Sequence, residues 1–77
     1  METVYFVKIT SVFSGVEFIE YVGLHQMKTL SMVGGHAKKM KRIHGWKTLK
    51  SAEKYIESAK RMDELMGQNR KFEIVHS

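Results

Sequence analysis

Apolar positions recur with two different periods along the chain, and the change of period marks its elements. From Leu49 to Met66 the apolar residues Leu49, Ala52, Tyr55, Ile56, Ala59, Met62 and Met66 fall in one stripe at about 100° per residue, which predicts an amphipathic helix. Thr48 precedes it as a plausible N-cap, and Gly67 follows where a left-handed cap ends a helix. Glu57 and Arg61 are spaced for an i,i+4 ion pair. Asp63 lies inside or at the border of the apolar stripe. It is expected to reach solvent or a nearby lysine, with a buried acid as the alternative.

The other segments read with a period of two. Thr3 to Thr10 is β-branched and aromatic throughout and predicts a strand. Tyr5, Val7 and Ile9 line one face of it, and Val4, Phe6 and Lys8 the other. Ser14-Gly15 marks a turn into a second strand, Val16 to Val22, pairing with the first as a hairpin. Here Val16, Phe18, Glu20 and Val22 share a face, while Glu17, Ile19 and Tyr21 share the other. His25 to Val33 is ambiguous, with strand favoured for Thr29 to Val33 over a short helix. Ala37 to Ile43 reads as a short basic edge strand, and Lys71 to His76 as a last strand with Phe72 and Ile74 facing the core.

The pattern predicts a single domain, residues 1–77, of the α+β class. A small antiparallel sheet of three to four strands packs on one main helix, Leu49–Met66, in the order β-β-(β)-(β)-α-β. One helix covers one face of a sheet, yet the first strand is apolar on both faces. The second face therefore needs a cover: the chain itself, a second copy in a homodimer, or a different partner. Val4, Phe6 and Phe18 are the candidate apolar interface.

Composition narrows the class. The chain has 77 residues and no cysteine, so disulfides and thiolate metal sites are excluded and a reducing, cytoplasmic setting is expected. A chain of this size buries only about 60% of its unfolded surface, so a partner subunit would help to stabilise it. There is no apolar run of membrane-spanning length and no signal-peptide pattern at the start, so a soluble protein without a membrane is expected. Six methionines are present, and Met62 and Met66 are expected to fill the core.

Charge changes the picture most. The net charge of +5 is unevenly spread. Met1 to Glu20 carries −2, Glu53 to Ser77 is neutral, and Tyr21 to Ala52 holds seven basic residues and no acid. That asymmetry favours an anionic macromolecular partner, either an acidic protein surface or nucleic acid. Lys38, Lys39, Lys41, Arg42, His44, Lys47 and Lys50 are the candidate contacts. Lysine and arginine could neutralise phosphates, and Trp46, Tyr21 and His44 could stack on exposed bases. The competing reading is a solvated edge strand, and Trp46 itself is expected to pack in the core under the helix start.

Other chemistry finds little support. His25, His36, His44 and His76 lack the spacing of a zinc site, and no carboxylate lies among the first three. Glu17 and Glu20 do not share a strand face, and there is no nucleophile elbow or phosphate-binding loop. No catalytic residue, metal or cofactor is expected.

The segment AKKMK, followed by KTLKSAEKYIE and ending in KFEIV, resembles a pattern in small uncharacterised proteins of bacteriophages and Gram-positive mobile elements. The resemblance covers about half the chain. The insertion RIHGW, between the basic segment and the helix, departs from it. It implies a phage or prophage accessory protein, of the kind that inhibits or redirects a host factor or a defence system. It carries no residue's role.

Overall fold

The computed structural model describes residues 2–24, 29–32 and 44–77, the side chains of 29–32 excepted. Strand β1 runs Tyr5–Phe13, β2 Val16–Val22, β3 Thr29–Met32 and β4 Lys71–His76, with helix α1 spanning Leu49–Met66. The strands form one antiparallel sheet in the order β3-β2-β1-β4. This is the expected α+β architecture. The ambiguous segment supplies β3, whereas the basic edge strand predicted over Ala37 to Ile43 lies outside the described residues.

β1 and β2 join through Ser14-Gly15, with φ of 52° and 75°. Two left-handed central residues match the twist of a hairpin, and glycine takes that conformation without steric cost. β1 starts two residues later and ends three residues later than the predicted Thr3 to Thr10. Its pairing with β4 stops at Thr10↔Lys71, while its pairing with β2 continues to Phe13↔Val16. The hairpin end therefore projects beyond β4 and leaves Phe13 73% exposed.

The register sorts the faces. Val7 lies between Val22 and Ile74, and Ile9 between Glu20 and Phe72. Opposed residues of antiparallel strands share a face. Tyr5, Val7, Ile9, Val22, Phe72 and Ile74 therefore face α1, where Val7, Ile9 and Val22 form the core with Trp46 and Ala52. The second face carries Val4, Phe6, Lys8, Ile19, Tyr21 and Val75, all half-buried. Phe18 opposes Ser11, so it lies on the face of α1 and not beside Val4 and Phe6. The three residues expected to form one apolar interface are split between the two faces.

Helix α1 starts and stops as its sequence dictates. The Thr48 Oγ1 accepts the Ser51 N–H at 3.3 Å. At the other end Gly67 has φ 69°, the Gln68 N–H bonds the Asp63 carbonyl at 2.8 Å and the Gly67 N–H the Glu64 carbonyl at 3.4 Å. Those two bonds are the Schellman pattern, and they reverse the chain into β4. The buried line on α1 is narrower than the predicted stripe. It consists of Ala52, Tyr55, Ile56, Ala59 and Asp63, while Leu49, Met62 and Met66 are exposed, Met66 by 66%. Met62 and Met66 do not fill the core. Among the described residues α1 packs over β1 and β4 alone, and no described strand lies against the flank of the helix turned away from β4.

Candidate binding surface

The two ends of α1 are built differently, and each gathers charge. At the N-terminal end the chain is fixed by residues 44–46. Tyr5 and Trp46 exchange both backbone hydrogen bonds at 2.8 Å, and the Leu24 N–H bonds the His44 carbonyl at 2.6 Å. Two glycines permit this approach. A Cβ on Gly23 would lie 2.2 Å from the His44 carbonyl oxygen. A Cβ on Gly45 would lie 2.8 Å from the Val4 Cβ and 2.9 Å from the Phe6 Cζ. The Trp46 ring is 8% exposed and packs against Tyr55 with centroids 5.4 Å apart.

Just beyond this clamp the surface is basic. His44, Lys47 and Lys50 are all exposed, and the first turn of α1 holds no acid. The partial positive charge of the helix N-terminus is thus not offset locally, and the lysines add to it. Lys38, Lys39, Lys41 and Arg42, the rest of the candidate set, lie outside the described residues. Of the three proposed stacking groups, Trp46 is committed to the core and Tyr21 is half-buried on the second face of the sheet.

The C-terminal end of α1 holds an ion-pair network that the sequence did not announce. Asp63, 5% exposed, does not reach solvent or a lysine: it binds Arg70. The Arg70 Nε donates to both carboxylate oxygens at 3.1 Å, Nη2 donates to Oδ1, and the Arg70 backbone N–H donates to Oδ2 at 3.4 Å. Nη1 lies 3.8 Å from Glu20 Oε1 on β2, and the guanidinium sits 5.3 Å from the centre of the Phe72 ring. One arginine therefore ties the helix end to the far side of β1. The only sequence signal was an acid in an apolar stripe followed, just past a capping glycine, by an arginine.

Charge coupling follows this geometry. The Arg70 hydrogen bonds hold the Asp63 carboxyl below its ordinary range, outweighing the opposite effect of burial. The same bonds raise Arg70. Tyr55 is pushed up by burial first and by the Glu20 charge second. Nothing here resembles a reacting pair, because the acids and the base neutralise one another. Among the described residues no three His, Cys, Asp or Glu side chains converge on a metal-sized site, and no helix is long and apolar enough to cross a membrane.

Comparison with protein-family models, with curated proteins and with solved structures finds no match to this chain.

Proposed function

We propose that this chain is a non-enzymatic binding protein that docks through its basic surface on an anionic macromolecule. The preferred partner is an acidic protein patch, such as that of a host or defence protein. The observation that carries the reading is the exposed Lys47 and Lys50 on an acid-free first turn, at the end of a stretch from Tyr21 to Ala52 that contains no acid. Of the acids near the helix, Asp63 and Glu20 are turned to Arg70 at the opposite end and Glu57 to Arg61, which leaves Glu53, three residues after Lys50, as the acid of α1 nearest to it in sequence. The burial of Trp46 removes the best stacking platform and favours a protein partner over single-stranded nucleic acid.

The test is a titration of labelled poly-glutamate and of a generic DNA duplex, at about 50 and about 200 mM salt. Salt-sensitive binding to poly-glutamate, flattened by combined Ala substitution of Lys38, Lys39, Lys41 and Arg42, is the expected result. Tighter binding to the duplex would transfer the surface to nucleic acid. Absence of binding to both at low salt would reject the proposal.

A further inference from the structure

β4 is a terminal strand of the sheet, and among the described residues nothing pairs with its outer edge. The Ser77 N–H bonds the Val4 carbonyl at 3.1 Å, so Ser77 turns its backbone groups toward β1. Alternation along an antiparallel ladder then gives the same inward direction to Lys71, Glu73 and Val75. The N–H and C=O groups of Phe72, Ile74 and His76 point outward. Natural edges are blunted by charged side chains, proline or bulges. β4 has no proline or bulge, the register with β1 being unbroken from Tyr5↔His76 to Thr10↔Lys71, and its exposed charges, Lys71 and Glu73, are of opposite sign.

The side chains make this edge self-complementary in one register. A two-fold axis normal to the sheet pairs β4 with the β4 of a second copy in antiparallel fashion. Centred on Glu73, the axis sets that carboxylate against itself. Centred on Ile74, it sets Glu73 against Val75. Centred on Phe72, it sets Lys71 of each copy against Glu73 of the other. Lys71 and Glu73 are both exposed. Glu73 has Lys8 as its inner cross-strand neighbour, so it would lie between two lysines. Lys60 and Glu64 border the same shallow surface hollow as Phe72.

We infer that β4 is a self-pairing edge that joins two copies of this chain through residues 71–73, with the axis at Phe72 and Lys71 opposed to Glu73 twice. This dimer uses the sheet edge, not the half-buried second face, and it is independent of the basic surface.

Sedimentation velocity on the full chain, from about 20 to about 500 µM, reads the association directly. The wild type shifts from monomer to dimer over that range. Lys71→Glu and Glu73→Lys each replace two attractive pairs with two repulsive ones and weaken association about tenfold. An equimolar mixture of the two variants returns it to the wild-type level, because every opposed pair is again of unlike sign. The single chain carrying both exchanges does the same, which guards against a variant that weakens the fold. A wild type that stays monomeric throughout overturns the inference. So does a dimer indifferent to either substitution, or a mixture that fails to associate.

Discussion

The two ends of α1 show opposite uses of charge. At the C-terminal end an acid is buried, and Arg70 binds it and reaches Glu20 across the sheet. At the N-terminal end aromatic and glycine packing fixes the chain, and the lysines are left in water. Charges of the first kind hold the fold and have nothing left to offer a partner. Charges of the second kind contribute almost nothing to the fold and are free to act on one. The difference lies in burial: a desolvated carboxylate needs its hydrogen bonds filled, while an exposed ammonium is already satisfied by water.

The largest expected effect breaks the buried end. Arg70→Met leaves Asp63 buried without its partner and should cost about 3 kcal/mol in urea unfolding. The double change Asp63→Leu with Arg70→Met removes both charges and should recover most of that loss. A double variant as unstable as the single one would show that packing, not the unpaired carboxylate, sets the cost. The pH dependence has a definite sign. Folding holds Asp63 below its ordinary value of 3.8, so its contribution is fully present above that value and is lost as the pH falls through the lower, folded one. The stability gap between wild type and Asp63→Asn should therefore be constant at neutral pH and narrow below about pH 4. A gap that stays constant down to pH 2 would contradict the assignment.

The next effect breaks the packed end. Gly45→Ala drives a Cβ into Val4 and Phe6, and Gly23→Ala drives one into the His44 carbonyl. Neither glycine has a positive φ, so the cost is steric. Overpacking of this kind costs about 1–3 kcal/mol, read from thermal melts. The Gly23 variant should be the worse, because its Cβ would lie 2.2 Å from a backbone oxygen, against 2.9 Å from the Tyr5 carbonyl oxygen at Gly45. The reverse order would mean that the Leu24–His44 contact is easily displaced.

Comparing the two ends also shows what the sequence could reveal. Local signals were legible. The Ser14-Gly15 turn, the Thr48 and Gly67 caps, the inward Phe72 and Ile74 and the buried Trp46 all follow from residue type and short-range spacing. The Asp63–Arg70 pair was not legible, because it depends on the reversal at Gly67 bringing a loop residue back beneath the helix. The predicted helix stripe is wider than the buried one for a related reason. Periodicity says which residues share a side of α1, but only the placement of α1 over β1 and β4 leaves Leu49, Met62 and Met66 uncovered. Face assignment within each strand was legible, whereas grouping Phe18 with Val4 and Phe6 needed the inter-strand register. Of the basic surface, the charge asymmetry could be read directly, and the exposure of His44, Lys47 and Lys50 came only with the fold.

The smallest stability effects sharpen the contrast most. Thr48→Ala removes the acceptor for the Ser51 N–H and should cost about 1 kcal/mol, a modest loss confined to the first turn. Lys47→Ala with Lys50→Ala, on the same turn, removes two exposed charges that make no ion pair with any described residue. Its effect on the unfolding midpoint should stay within the range of ordinary surface changes, about 0.5 kcal/mol. If poly-glutamate binds as proposed, the same double variant should reduce the salt dependence of that binding while leaving the fold intact. A large loss of stability would place these lysines with Arg70 as structural charges. An unchanged salt dependence with intact stability would confine the docking surface to the residues before His44.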